Sequence, residues 1–455
     1  MIAEQTATTS SEFKRVLTLS DLVIFGLAFV GPTAPYSMFG IATVKSGGHL
    51  PLVYLIAMIA MSFTAISYGR MSAAFPAAGS TYVYASKALH PGAGFLAGWA
   101  MTIDYILIPM LSVIFVGLTA NKVWPEVPYA VWVIITSAVI TLINLRGMVM
   151  ASRANYVMNA IMIASLVWFI LLTLRALWGG VGEGRLLSST PFFNPQTFSF
   201  PAVMGATSIA VLSFIGFDGV TTLAEDAKNP RRDIGRATLL VCFVAGALFV
   251  FQSYLAQLVW PDYTKFAPVE TAFMDVGKLV GGNSLFYFLS FVLVVAGFAS
   301  AITGQASASR LLYGMGRDRL LPHRIFAYVH PRLGTPIYSV LLMGALHLIG
   351  ALILQYTEAA ELVNFGAFIG FMAVNLCVVR HYWLGKQERR ISDLLLPTLG
   401  FAVCLYIWLH LSRLALGLGL LWMVIGVVYL LWLTRGFKHE IASLNPEAKI
   451  LGASE

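Results

Sequence analysis

What this sequence has least of is charge: Asp, Glu, Lys and Arg together make up 11% of its residues. A soluble domain carries about 25%, so this scarcity argues against a soluble protein. Hydrophobic residues make up 58% of the chain, and apolar segments of about 20 residues recur along it, the length that crosses the hydrocarbon core as a helix. The sequence therefore predicts an all-α integral membrane protein.

Cysteine is also rare. Cys242, Cys377 and Cys404 lie within apolar segments without metal-ligand spacing, so we expect small packing residues. No histidine-rich metal set or serine–histidine pairing is evident, which argues against membrane-embedded catalysis, and no cofactor or metal is expected. The first 19 residues are polar and lack the apolar core of a cleavable signal. The pI of 9.3 does not indicate nucleic-acid binding, because the basic residues lie in short loops between spans.

Twelve membrane spans are predicted from the apolar segments. They cover residues 20–44, 50–69, 93–120, 128–145, 154–177, 201–224, 236–260, 284–311, 336–355, 360–379, 394–412 and 415–434. An even number of spans places both termini on the same side of the membrane. Lys and Arg accumulate in cytoplasmic loops. With the termini in the cytoplasm, only seven of the 29 Lys and Arg residues fall outside: Lys45, Lys122, Arg175, Arg185, Lys265, Lys278 and Arg413. The sequence thus predicts cytoplasmic termini and an outer loop at 260–278.

The sixth span carries an unusual stretch at residues 213–226. Gly216 and Gly219 weaken the helix, and Asp218 places a carboxylate between them. A charged group inside a bilayer normally faces a partner or a water-filled cavity, and broken helices at that depth line such a cavity. Asp218 is therefore a candidate for holding a substrate or a proton. The alternative is a structural role, in which Asp218 caps a half-helix or pairs with a neighbouring polar group.

The first span is also interrupted. Pro32 and Pro35 follow Gly31, and each proline removes a backbone N–H and clashes with the preceding helical turn. Interrupted segments at corresponding positions of two halves indicate a transporter site built on an inverted repeat. Simple kinking is the alternative, since Pro and Gly are common in membrane helices. Two breaks, five spans apart, favour a central site that includes Gly31 and Gly216.

Asp104 in the third span is the only other deep carboxylate that the sequence indicates. About eleven residues at 1.5 Å each place it roughly 16 Å into the bilayer, close to the midplane. Its alternative role is a structural hydrogen bond to another helix. Aromatic residues near the breaks could form a cage for a cation or could be ordinary packing. These are Phe29, Tyr36, Phe39, Phe214 and Phe217. Tyr105, next to Asp104, is a further candidate for substrate binding.

Three motifs resemble signatures of the amino acid–polyamine–organocation transporters. Phe75-Pro-Ala-Ala-Gly79-Ser-Thr-Tyr82, followed by Gly94-Phe-Leu-Ala-Gly98-Trp99, is similar to the family's second-loop signature. The family's sixth-span signature is similar to Phe217-Asp218 with Glu225-Asp226-Ala-Lys-Asn-Pro230. The end of its eighth span resembles Ser309-Arg-Leu-Leu-Tyr313 and the residues that follow up to Pro322. Within the family, Asp104-Tyr105, Gly216-Phe-Asp218 and His330-Pro331 are most similar to the bacterial putrescine importers.

The resemblance implies a LeuT-like fold with a five-plus-five inverted repeat, broken helices 1 and 6, alternating access and proton-coupled uptake. The expected organisation is an N-terminal tail at 1–19, a ten-helix core at 20–379, peripheral helices at 394–434 and a C-terminal tail at 435–455. The repeats would cover about 20–177 and 201–379. The expected location is the bacterial inner membrane.

Two departures from the family bear on function. Pro32 and Pro35 weaken a first-span N–H nest for a substrate carboxylate, and no lysine lies in the middle of span five. We therefore predict a secondary importer of a small cationic amine, putrescine first, with Asp218 or Glu225 carrying the proton. The alternatives are an amino acid transporter or exchanger and a non-transporting amine sensor. Protons and the lipid bilayer are the other expected partners, and a homodimer is left open.

Overall fold

The computed structural model describes residues 17–76, 80–146, 151–223, 227–317, 321–331, 333, 335–385 and 389–435. Within these ranges the chain is helical. The α-helices are α1 Leu19–Val30, α2 Pro35–Lys45, α3 Leu50–Ala74, α4 Ser80–Ala88, α5 Pro91–Val123, α6 Tyr129–Arg146, α7 Ala151–Trp178, α8 Phe200–Ala210, α9 Pro230–Val259, α10 Ala272–Arg317, α11 His323–Phe326, α12 Ile337–Ile353, α13 Tyr356–Val378, α14 Ser392–Leu409 and α15 Arg413–Leu433. The short 3-10 segments are Val211–Phe214, Phe217–Leu223, Tyr263–Lys265 and Val269–Thr271.

Ten helical segments of the described chain are long and apolar enough to cross a membrane. This confirms the predicted class, an all-α protein with many membrane helices. Two predicted spans are outside that set: the first, which is split into α1 and α2, and the ninth, which is the shorter helix α12. The count of twelve stays a prediction. The eighth span is preceded by a break at Gly282, where φ is +64°: one helical segment runs from Ala272 to this break, and the helix after it begins next to the predicted start at residue 284.

The first span breaks where the sequence predicts it. Thr18 and Asp21 cap the start of α1 reciprocally, since each accepts a hydrogen bond from the other's backbone N–H. The helix ends at Val30, and Gly31 then turns to a φ of +80°, a conformation that favours glycine. Pro35 opens α2 as its first residue, a position where the missing N–H costs nothing.

The sixth span is interrupted at Gly216. The α-helix α8 ends at Ala210, tightens into the 3-10 segment Val211–Phe214, and stops at Ile215. Gly216 has a φ of +114° and is buried, and the 3-10 segment Phe217–Leu223 comes directly after it. The predicted break is therefore confirmed, although the chain continues beyond it as a tight 3-10 coil rather than as a second α-helix.

The centre of the molecule is formed by α3, α5, the broken sixth span and α13. In these elements 61–72% of the apolar stretch is buried inside the protein, compared with 22–28% in α6, α7, α14 and α15. Close approach of backbones holds the centre together: a Cβ added at Gly366 in α13 would lie 2.4 Å from the carbonyl oxygen of Ala100 in α5. Asp104 and Asp218, two of the predicted site acids, lie on these central elements.

Candidate functional site

Asp218 is the second residue of the 3-10 segment that begins after the break. Its carboxylate lies within hydrogen-bonding reach of the backbone N–H groups of Gly216, Gly219 and Asp218 itself. The Gly219 N–H also donates to the Gly216 carbonyl at 3.0 Å, and backbone N–H groups near a carboxylate in such a turn favour its ionised form. The side chain is half-buried. The capping role and the binding role of Asp218 both stay predictions, and its carboxylate is partly accessible.

Asp104 lies in the middle of α5 and is only 5% exposed. Its Oδ1 has no hydrogen-bond partner among the described residues. A Cβ added at Gly366 in α13 would lie 2.9 Å from that oxygen, so the glycine leaves room for the carboxylate. Asp104 and Asp218 are close enough for their charges to interact. The structure thus places both acids next to α13, Asp104 beside Gly366 and Asp218 beside the contact of Phe217 with Phe371.

An inner aromatic cluster, formed by Tyr68, Tyr84, Phe217 and Phe371, lies beside these acids. The Tyr68 ring centroid is 5.8 Å from that of Phe217, 6.1 Å from Phe371 and 6.3 Å from Tyr84. Phe217 and Phe371 are 5.4 Å apart. Tyr68 and Tyr84 are close enough to Asp218 for electrostatic interaction. Sequence reasoning missed Tyr68, Tyr84 and Phe371, because nothing local distinguishes them in a chain with 13% aromatic residues.

The aromatic residues that could form a cage, or could be ordinary packing, divide into separate groups. Phe217 belongs to the inner aromatic cluster, whereas Phe214 packs on Phe249 with 5.2 Å between the ring centroids. Tyr36 and Phe39 pack in a second cluster around Phe273, at centroid distances of 3.8 and 5.5 Å.

Tyr105 differs from these buried rings. It is 42% exposed and lies within electrostatic range of both acids. A role for Tyr105 in binding stays a prediction, as does one for Tyr36, Phe39 and Phe214.

Two buried amides hold the backbone at the breaks. Gln252 in α9 donates from Nε2 to the carbonyl of Pro32 at 3.2 Å, and Asn364 in α13 donates from Nδ2 to the carbonyl of Ser208 near the end of α8. Both amides are fully buried, and neither amide oxygen has a hydrogen-bond partner within the described part of the chain. Gly31 faces open space, since a Cβ added there would meet nothing within 4 Å. Side chains of neighbouring helices thus help to hold the backbone at both breaks.

Sequence reasoning missed a third buried acid, Glu361 near the start of α13, which is 3% exposed. Its Oε1 accepts a hydrogen bond from Lys45 Nζ at 3.1 Å, and its Oε2 accepts one from the Ser412 backbone N–H at 2.9 Å. Sequence reasoning did not identify Glu361 because it is only the sixth residue of α13. Its lysine partner is also distant in the chain. Glu225, the second proton candidate, lies outside the described residues.

Comparison with known proteins adds one family match and three relatives to this geometry. The family model for amino acid permeases matches residues 21–439. The chain is 33% identical to the low-affinity putrescine importer PlaP of Escherichia coli K12, over 95% of this chain and 97% of that protein. It is 25% identical to the branched-chain amino acid permease BcaP of Bacillus subtilis, over 95% and 96%, and 25% identical to the methylthioribose transporter of the same organism, over 93% and 94%.

Proposed function

Since the chain belongs to the amino acid permease family of the amino acid–polyamine–organocation superfamily, we propose that it imports a small organic amine, with putrescine as the leading candidate. Membership makes it a multi-pass membrane transporter of amine or amino acid substrates and not an enzyme. The choice of an amine, the coupling to protons and the alternating-access mechanism are the parts that we propose.

The pairing of Asp104 with Asp218 is the observation that carries the choice of an amine. Within the described chain, neither carboxylate has a Lys, Arg or His nitrogen within 4.0 Å. Two neighbouring carboxylates repel each other, and a buried charge without a partner is costly. A cation bound between them removes both costs. The bare Oδ1 of Asp104 and the fixed carboxylate of Asp218 would each take one ammonium of a diamine, which favours putrescine over a monoamine.

The inner aromatic cluster supplies the other half of such a site. Phe217 and Phe371 are buried in this structure, and they would line a methylene chain if the cluster opened around a substrate; the faces of Tyr68 and Tyr84 would then attract its cation. Phe217 directly precedes Asp218 in the chain, so the break positions an apolar ring and an anion side by side. Movement of the broken first and sixth spans would then open the site to each side of the membrane in turn.

Proton coupling follows from the same two acids. A proton on one of two neighbouring carboxylates relieves the repulsion between their charges. An arriving ammonium favours the ionised form, so one of the two acids would release its proton as the amine binds. Asp218 is our first candidate for this role, and Glu225 is the second.

The alternative is an amino acid transporter, and the similarity to the branched-chain amino acid permease favours it. Such a substrate carries a carboxylate, which needs free N–H donors at the first-span break. Pro32 and Pro35 have no N–H group to donate. The Gln252 side chain donates its own N–H to the Pro32 carbonyl, so this N–H is not available to a substrate carboxylate. The N–H groups at the second break face the carboxylate of Asp218 and would leave a substrate carboxylate beside an anion.

Uptake into proteoliposomes separates the two functions. We expect labelled putrescine to be taken up, agmatine to compete strongly, tyramine to compete weakly and alanine not to compete. An inward proton gradient should increase the rate. Uptake of alanine without uptake of any amine would refute the proposal in favour of the amino acid transporter.

A further inference from the structure

Lys45 reaches across the outer mouth of the protein from α2 to α13. Its Nζ lies 3.1 Å from Oε1 of Glu361. A Cβ added at Gly205 would lie 3.3 Å from Lys45 Cε, so the lysine stem lies against α8 at a position without a side chain. One side chain thus joins the outer half of the first span, the outer half of the sixth and α13. The predicted topology places this end of the helices outside.

Glu361 is the more deeply buried partner of the pair. Its side chain is 4% exposed, compared with 36% for Lys45. The Ser412 N–H satisfies the other carboxylate oxygen and holds the carboxylate in place. If Lys45 swings toward water, an anion is left in a prepared position and must find another cation. The partner that leaves is a primary ammonium on a flexible alkyl chain, which is chemically one end of an alkylamine.

The face of α13 below Glu361 leads inward toward Asp218. Glu361, Asn364, Phe368 and Phe371 are spaced by three or four residues and so share one side of the helix. Asn364 contacts Ser208 in α8, and Phe371 contacts Phe217 beside Asp218. Ten residues of helix separate Glu361 from Phe371, or about 15 Å. The bare amide oxygen of Asn364 is one turn below Glu361.

We infer that Glu361 is an outer binding site for the ammonium group of the substrate, and that Lys45 occupies this site until the incoming amine displaces it. Asn364 Oδ1 offers the next acceptor on the way to Asp218. The inference rests on the proposed import of an amine. Lys45 acts as a tethered competitor, so its removal and the removal of Glu361 should have opposite effects on the KM for uptake.

Opposite effects on KM distinguish a binding site from a simple tie between helices. Lys45→Met keeps most of the side-chain volume and removes the competing charge; we expect the KM for putrescine to fall about two- to fivefold, because a partly exposed ion pair contributes weakly. Glu361→Gln keeps an oxygen for the Ser412 N–H and removes the negative charge; we expect KM to rise at least about fivefold. The double variant should behave like Glu361→Gln alone.

Lys122 provides a matched control, since it forms another outer ion pair, with Asp275, at 2.9 Å. Lys122→Met should leave KM unchanged. Melting temperatures in detergent identify variants that fold poorly. If Glu361→Gln does not fold, Lys45→Met still decides, because an unchanged or raised KM in that variant overturns the inference.

Three outcomes of these assays have separate meanings. Opposite shifts in KM support the outer site. Shifts in the same direction for Lys45→Met and Glu361→Gln would mean that the ion pair only holds α2 against α13. That result would overturn the inference of an outer binding site. Wild-type protein that transports alanine and no amine would refute the proposed function instead, and the outer ammonium site would fall with it.

Discussion

Replacing Asp104 by asparagine should weaken putrescine binding much more than butylamine binding. The two carboxylates offer one partner for each ammonium of the diamine, whereas butylamine has a single ammonium that Asp218 can hold alone. The asparagine side chain has nearly the same shape as the native aspartate but carries no charge. The variant therefore tests whether Asp104 reads the second charge of the substrate.

The size of the effect follows from the surroundings of Asp104. Its Oδ1 has no partner in the described chain, and the residue is 5% exposed. Once its charge is removed, therefore, no nearby water or protein group replaces it as a partner for the ammonium. Removing one partner of a desolvated charge pair costs about 2–5 kcal/mol, or about 30- to 5,000-fold in affinity. Butylamine should lose less than about tenfold, because only a longer-range attraction disappears.

Competition against labelled putrescine uptake measures both ligands in wild type and variant. Asp275→Asn serves as the control, because Asp275 lies in α10 and pairs with Lys122 rather than with substrate. If the variant transports too slowly for the competition assay, binding of the two labelled amines to purified protein is measured instead. An equal loss for putrescine and butylamine would show that Asp104 does not recognise the second ammonium, and the diamine assignment would be wrong.

The other predictions concern the same site and the topology. Asp218→Asn should reduce putrescine affinity at least about a hundredfold while the protein still inserts and purifies; near-normal uptake would leave Asp218 with its capping role alone. Gly366→Val should lower both the melting temperature and uptake, because even a Cβ there would lie 2.4 Å from the Ala100 carbonyl and 2.9 Å from Asp104 Oδ1; wild-type values for both would contradict the described packing of α5 on α13. Uptake should rise as external pH falls and should not require sodium, and sodium-driven uptake that ignores a proton gradient would exclude proton coupling. Single cysteines on a cysteine-free background should react with an impermeant thiol reagent in intact cells at the loop 260–278 and not in the N-terminal tail, since labelling of the tail would reverse the predicted orientation.

The sequence determined the class of the protein and the position of both breaks. Apolar segments of membrane-spanning length need no tertiary partner to be recognised, because the bilayer itself imposes that length. Pro35 lacks an N–H wherever it lies, and the glycines at 31 and 216 permit the positive φ values of +80° and +114° that the structure has. Asp104 and Asp218 were found for the same reason: a carboxylate deep in an apolar segment is costly in any fold.

The tertiary structure alone decided which side chains surround those acids. A membrane helix is apolar on nearly every side, so hydrophobic periodicity does not identify the face that is buried in the protein. Tyr68 and Phe371 therefore look like any other aromatic residues until α3, α13 and the 3-10 segment at Phe217–Leu223 are packed together. Glu361 is the clearest case, because its partner Lys45 lies 316 positions earlier in the chain and only the meeting of α2 with α13 makes them a pair.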